Sequence, residues 1–306
     1  MMQTLALLPM QTKSLEPSHE KVRVCILMTS FNRREKTLAS LRQVFQNLRL
    51  LQAEPEVVLV DDGSTDGTAE AVNQSFPSVQ VIRESGNLYW CRGMHMAFSL
   101  AMKSRPHYYL WLNDDTMLQT EALVRLITTE RTLRLSEGRP VVVVGSTVDE
   151  ETQVLTYGGC ARLSGLKRMR FEHIQPTAAP QRCATMNGNV VLISKEAADV
   201  VGNLDPVFEH AMGDTDYALR ANKLGVAVWV APGVHGVCSS NPIAGTYLDS
   251  NLPLRRRWPL MMHRKGLPWK SWLALTRRHA GPAWPLYFVW PYTSLMLGLY
   301  KSRPVK

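Results

Sequence analysis

Val57-Val58-Leu59-Val60-Asp61-Asp62-Gly63-Ser64-Thr65-Asp66-Gly67-Thr68 reads as a buried strand that turns at once into a helix. Its apolar half runs without polar alternation, as a strand covered on both faces does. Gly63 and Gly67, with the Asp, Ser and Thr between them, supply turn and cap chemistry before a helix over Thr68 to Gln74. The alternation continues outward. Val22 to Met28 is a strand, and Arg34 to Leu50 a helix with Leu38, Leu41, Phe45 and Leu48 on its stripe. Strands over Val79 to Ile82, Tyr108 to Leu112 and Val141 to Gly145 are separated by helices over Met94 to Lys103 and Glu121 to Leu135. This rhythm predicts an α/β domain with a mostly parallel sheet and helices on both faces.

From Thr147 the rhythm breaks. Tyr157-Gly158-Gly159 and Thr177 to Gln181 read as loops, Asn189 to Ile193 as a strand and Lys195 to Val201 as a helix. Gly213-Asp214-Thr215-Asp216 leads into a helix over Tyr217 to Lys223, and Val226 to Val230 is a last strand. The absence of G-x-G-x-x-G after the first strand, and of a P-loop Lys, argues against dinucleotide and Walker-type phosphate sites.

Three acidic groups carry the chemistry. Asp61-Asp62 ends one strand, Asn113-Asp114-Asp115 ends another, and Asp214 with Asp216 opens a late helix. In a parallel sheet the first two share the C-terminal edge, where open α/β sheets bind nucleotides. Crowded carboxylates repel unless a cation or proton joins them. A hard divalent cation, Mg²⁺ or Mn²⁺, takes such oxygens and brings phosphate with it. Asp-Asp after a strand is equally the wording of a turn or helix cap. For Asp214 and Asp216 the readings are a general base or an N-cap, Asp216 suiting the cap better.

The chain has 306 residues, 45% of them hydrophobic, which is enough for one large domain or two small ones. Cys25, Cys91, Cys160, Cys183 and Cys238 form no C-x-x-C pair, so neither zinc nor a disulfide framework is expected, and a reducing cytosolic compartment fits. Met1 to Glu20 reads as a disordered tail, since its first Lys, Lys13, follows the apolar part instead of preceding it. The net charge of +9 is uneven: Asn251 to Lys306 holds eleven Lys or Arg and no Asp or Glu. Such asymmetry points to nucleic acid or an anionic membrane surface. Trp258, Trp269, Trp272, Trp284 and Trp290 lie among these cations, and the apolar run Ala283 to Tyr300 is broken by Pro285 and Pro291. A surface-lying anchor and a helical subdomain packed on the main domain both account for the segment, and a membrane span less well.

Met28-Thr29-Ser30-Phe31-Asn32-Arg33, Val60 to Thr68, Asn113-Asp114-Asp115 and Gly213-Asp214-Thr215-Asp216-Tyr217-Ala218-Leu219-Arg220, in this order, resemble glycosyltransferase family 2. The resemblance covers Lys21 to about Cys238. It implies an inverting transferase of the Rossmann-like GT-A fold over residues 21–245, between the tail 1–20 and a basic, Trp-rich helical segment 246–306. Thr29 and Phe31 would hold and stack on the base, Arg33 reach the nucleotide, and Asp61 and Asp62 read base and ribose. Asn87 would line the pocket, with Gly93 beginning the helix behind it and Arg92 near the diphosphate. Asn113 stands where the D-x-D motif has its first Asp. Asp114 would face the ribose and Asp115 the divalent metal, with His235 completing its coordination. Asn187-Gly188-Asn189 would face the donor sugar. Asp214 would be the base, with Gly213 where a Glu is usual, and His210 would lie near the acceptor.

The wording is most similar to rhamnosyltransferase-like enzymes of cell-surface polysaccharide assembly. That implies a nucleotide-diphosphate-sugar donor, a saccharide or lipid-linked saccharide acceptor, no nucleic acid, and a cytoplasmic protein peripheral on the inner face of the membrane. A sugar nucleotidyltransferase is the first alternative, but its Gly-rich triphosphate loop is replaced by Ser30-Phe31-Asn32-Arg33-Arg34. A non-catalytic membrane-surface binding protein is the second.

Overall fold

The computed structural model describes residues 21–299. The expected N-terminal tail and the last residues of the basic segment lie outside them. In chain order the elements are β1 (Val24–Ser30), α1 (Arg34–Leu50), β2 (Glu56–Asp61), α2 (Thr68–Ser75), β3 (Val79–Arg83), α3 (Tyr89–Ser104), β4 (Tyr108–Leu112), β5 (Met117–Leu118), α4 (Ala122–Glu137) and β6 (Val141–Val148). Then follow β7 (Leu155–Tyr157), β8 (Gly159–Arg162), β9 (Phe171–His173), β10 (Gln181–Arg182), β11 (Thr185–Met186), β12 (Val190–Ser194), α5 (Lys195–Val201), α6 (Gly213–Lys223) and β13 (Ala227–Val237). Three helices close the chain: α7 (Leu254–Met262), α8 (Trp269–His279) and α9 (Trp284–Met296).

The main sheet has the order β10-β13-β6-β12-β4-β1-β2-β3. β3, β2, β1 and β4 are mutually parallel, as are β6 and β13, and β12 runs antiparallel between β4 and β6. The sheet is thus mixed, with a parallel nucleotide-type half. Its unbroken apolar strands bury both faces. Val24, Ile26 and Met28 of β1 join α1, α2 and α4 on one side, while Cys25 and Leu27 join α3, α5 and α6 on the other. The second core also takes in Met261, Trp272, Leu275, Tyr292 and Leu295 of α7, α8 and α9. The basic segment therefore packs through one side on the main domain.

Several boundaries differ from expectation. α3 starts at Tyr89, so Gly93 lies inside it. Tyr157-Gly158-Gly159 is a tight link from β7 into a small antiparallel sheet, β11-β8-β9. β13 runs on through Pro232 and Gly233 with two register shifts. α6 starts at Gly213 after Met212 in the left-handed region (φ 74°), so Asp216 is not its cap.

The turn after β2 depends on Gly63. Its φ is +81°, and a Cβ there would fall 2.6 Å from Gly86 N and 2.8 Å from Gly86 Cα, backbone that cannot swing aside. Gly63→Ala is expected to destabilise the fold by about 1–3 kcal/mol, read as a lower thermal midpoint. An unchanged midpoint would mean that this close approach is not needed.

Candidate active site

Ser30, Asp61 and Leu112 end neighbouring strands at one edge of the parallel half. The turn after β2 is fixed first. Asp61 is buried, and its Oδ1 accepts the Ser64 N–H at 3.0 Å. Asp62 Oδ1 accepts from Leu88 N at 3.0 Å, and Oδ2 from Tyr89 N at 2.7 Å. Helix starts leave such N–H groups without intrahelical partners. Glu209 supplies another acceptor, its carbonyl taking the Cys91 N–H at 3.1 Å. Asp62 is therefore the N-terminal cap of α3, delivered from another loop to the positive end of the helix dipole.

Behind it, Thr29 is buried and donates to the Val60 carbonyl at 3.2 Å. A Cβ at position 93 would lie 2.4 Å from Thr29 Oγ1, so Gly93 lets α3 pack directly on β1. Thr29 thus ties β1 to β2. Phe31 is the opposite case, 52% exposed. Asn87 is exposed, and its carbonyl accepts from Arg264 Nη1 at 3.4 Å. Arg92 is turned away from the acidic edge, pairing with Glu209 at 3.0 Å and donating to the Pro206 carbonyl.

The Asn113-Asp114-Asp115 loop follows β4. Asn113 Oδ1 accepts the Trp90 indole N–H at 2.7 Å. Asp114 is buried, its Oδ1 held by Arg33 Nη1 at 3.0 Å and its Oδ2 without a partner. Burial lifts its pKa to about 6, with Arg33 opposing and Asp115 adding to the rise. Asp115 Oδ2 accepts from Arg33 Nη1 at 2.6 Å, and Cys238 Sγ lies 3.6 Å from its Oδ1. Arg33 thus reaches the carboxylate pair and offsets part of its charge.

His235 does not join this group. It lies within β13, fully buried, its ring packed over Gly145 and both ring nitrogens unpartnered. Burial, then the Arg125 charge, push its pKa down to about 3, so the ring is neutral. The strand extension carries His235 inward and brings Cys238 to Asp115 instead. Among the described residues no group of three His, Cys, Asp or Glu is arranged to hold a metal. Mg²⁺ or Mn²⁺ on a diphosphate needs only one or two carboxylates, its other ligands being phosphate oxygens and water. Asp115, beside the unpartnered Asp114 Oδ2, fits that requirement.

Asp214 sits in the first turn of α6. Its Oδ2 accepts from Gly188 N at 2.9 Å and its Oδ1 from Thr215 N at 2.7 Å. Burial raises its pKa above the ordinary carboxylate value, the Thr215 and Gly188 N–H groups opposing the rise. A Cβ at Gly188 would lie 2.4 Å from the Trp90 ring. Trp90 thus touches both acidic sites: it packs on the glycine that holds Asp214, and its N–H holds Asn113. A Cβ at Gly213 would fall 2.2 Å from Cys91 Sγ, so α3 comes too close for a larger residue there. Asp216 is fully buried and pairs with Arg220, Arg278 and His279.

The other wall is basic and aromatic. His210 stacks edge-on to Tyr89, as does His263 of the α7–α8 loop, each with ring centroids at 6.1 Å. His210 Nδ1 is buried without a partner, and burial, then the charges of Lys265, Arg33 and His263, lower its pKa to about 4. Sequence reading assigned no role to Trp90 or Cys238. Trp90 stands three residues after Asn87, and Cys238 three residues after His235.

The family model described as glycosyl transferase family 2 matches residues 25–202, spanning both β2 and β4 carboxylate pairs and ending before α6. No curated protein matches the sequence. Among solved structures, a mannosyltransferase from Pyrobaculum calidifontis, in complex with GDP-Man and Mn²⁺, superposes with a TM-score of 0.53 at 16% identity. The superposition covers 92% of this chain and 72% of that one. The mixed sheet with helices on both faces is thus the GT-A fold.

Proposed function

Because the chain belongs to glycosyl transferase family 2, we propose that it moves a sugar from a nucleotide-diphosphate-sugar to an acceptor hydroxyl with inversion at the anomeric carbon. The observation that carries this reading is Trp90, which joins the diphosphate-side loop at Asn113 to the Asp214 site through Gly188. A single in-line displacement needs a base on the acceptor side and positive charge on the leaving-group side.

In this reading Asp214 takes the acceptor proton, favoured by the raised pKa that burial gives it. Phe31 stacks on the base. Asp61 and Asp62 contribute the oxygen lone pairs that Ser64, Leu88 and Tyr89 leave free, and Asn87 lines the same end. Asp114 meets the ribose through its unpartnered Oδ2, while Asn113 keeps the loop on Trp90. Asp115 would hold the divalent metal, which supplies Lewis-acid stabilisation of the leaving diphosphate when bound. Arg33, on Asp114 and Asp115, would offer its remaining guanidinium donors to the phosphates. A donor of hexosyl or rhamnosyl type, a saccharide or lipid-linked acceptor in cell-surface polysaccharide assembly, and a position on the inner membrane face belong to the same reading. So does the division into a transfer domain, 21–245, and a basic segment.

A panel of nucleotide-sugars with Mn²⁺, assayed for nucleoside diphosphate, tests it. Release with at least one donor, lost on chelation, is expected. No release with any donor would favour a binding protein, and pyrophosphate from a nucleoside triphosphate plus a sugar phosphate would favour a nucleotidyltransferase.

A further inference from the structure

The C-terminal helices bury one side and leave the other apolar. On α9, Tyr292 and Leu295 point into the core, and the Tyr292 hydroxyl donates to the Leu267 carbonyl at 3.1 Å. Leu286, Val289 and Trp290, with Leu297 just past the helix end, recur at i, i+3, i+4 and i+11 on the opposite side. Leu286 is 75% exposed, Trp290 56% and Leu297 69%. Trp258 on α7 and Trp269 on α8 are exposed as well, the Trp258 ring lying 6.3 Å from that of Tyr292. Contiguous exposed apolar surface of this kind marks an interaction site.

Charge decides the occupant. Arg255 and Arg256 on α7, and Lys270 and Arg277 on α8, are exposed. No Asp or Glu occurs from residue 251 to the end of the chain. Two copies joined through this face would bring those cations together with no carboxylate of the segment to pair them. An anionic lipid surface answers both features, accepting Trp and Leu at the headgroup boundary and Arg and Lys on the phosphates. No helix among the described residues is long and apolar enough to cross a membrane, so α9 would lie in the plane.

We propose that the outer face of α9, with Trp258, Trp269 and the basic rim of α7 and α8, docks on an anionic lipid surface. The α7–α8 loop continues from that face to the candidate active site. Arg264 pairs with Glu209 at 2.9 Å, and its guanidinium lies 4.9 Å over the Tyr89 ring. Docking would set the crevice beside the membrane, where a lipid-linked acceptor arrives; only this last consequence rests on the proposed transfer.

The test is flotation of the full chain with vesicles of phosphatidylcholine containing phosphatidylglycerol, against phosphatidylcholine alone. Wild type should float with the anionic vesicles and bind at least tenfold less to neutral ones. Leu286→Ser with Trp290→Ser, and separately Arg255→Glu with Arg256→Glu, should each lose at least tenfold of that binding with melting midpoints and nucleoside diphosphate release unchanged. Equal flotation of wild type and variants would overturn the proposal. So would a wild-type dimer in gel filtration that the Leu286 and Trp290 changes convert to monomer. Vesicle binding as expected, with no diphosphate release from any donor, would uphold docking and sink the transfer reading alone.

Discussion

Asp214→Asn is expected to lower sugar transfer roughly 10²–10⁴-fold, the usual worth of a positioned general base, while donor affinity changes little. Asn keeps the size of the side chain and removes its basicity. It offers one oxygen where Asp214 uses two, for Gly188 N and Thr215 N, so a small loss of order in the first turn of α6 accompanies the chemical loss. The pH dependence separates the two effects. Burial raises the Asp214 pKa, and a base works only when deprotonated. Wild-type kcat/KM should therefore be full above the raised pKa and fall as pH drops through it, higher than an ordinary Asp, which titrates near ~3.9. In the Asn variant that limb should vanish. A variant with wild-type kcat/KM would remove Asp214 from the chemistry.

The second large effect concerns stability. Asp216→Ala is expected to cost about 3–5 kcal/mol, because it removes a fully buried carboxylate that Arg220, Arg278 and His279 share and leaves their donors there without an acceptor. Asp216 Oδ2 holds Arg220 Nε at 2.8 Å, and Oδ1 holds His279 Nε2 at 2.9 Å and Arg278 Nη1 at 3.2 Å. Arg220 also donates to the Val201 and Asn203 carbonyls, and Arg278 to Asp205. The network thus ties α8 to α6, the helix that carries Asp214. Thermal melts and urea titrations measure the cost, and a midpoint drop on the order of 10 °C is expected. The ion pairs and His279 hold the Asp216 pKa below the ordinary value against the opposing effect of burial. A depressed carboxylate stabilises fully above its unfolded pKa and loses that contribution as pH falls through the folded one. The gap between wild type and variant should accordingly stay constant near neutrality and close only below about pH 4. A cost under ~1 kcal/mol would mean that the apolar contacts of α8 and α9 suffice to hold the segment.

The sheet was legible because its signals are local. α1 runs over Arg34–Leu50 as its apolar stripe implies, and the turn after β2 carries its glycines in sequence. Helix starts set by distant partners were not legible. α3 is capped by Asp62 and by the Glu209 carbonyl, groups far along the chain that leave no mark before Tyr89. α6 begins through a left-handed Met212, a conformation that Met does not announce. His235 lies deeper than its local sequence implies for a related reason. Pro232-Gly233 reads as a strand end, yet β13 absorbs it with register shifts and turns the imidazole into the core. Thr29 likewise meets Val60 and Gly93, contacts that its own stretch does not announce. The carboxylate groups themselves were visible in sequence. Their link through Trp90 was not, since it needs Gly188 and Asn113, remote in the chain, on one indole. The basic segment was ambiguous because α9 is apolar all round, and only packing separates its buried side from its exposed one.

The central claim is a single displacement with Asp214 as base. The configuration of the newly formed glycosidic linkage tests it most directly, read by proton NMR from the anomeric coupling of product made with whichever nucleotide-sugar the panel identifies. The account predicts the configuration opposite to that of the donor, formed roughly 10²–10⁴-fold more slowly by Asp214→Asn. Product that retains the donor configuration would contradict it.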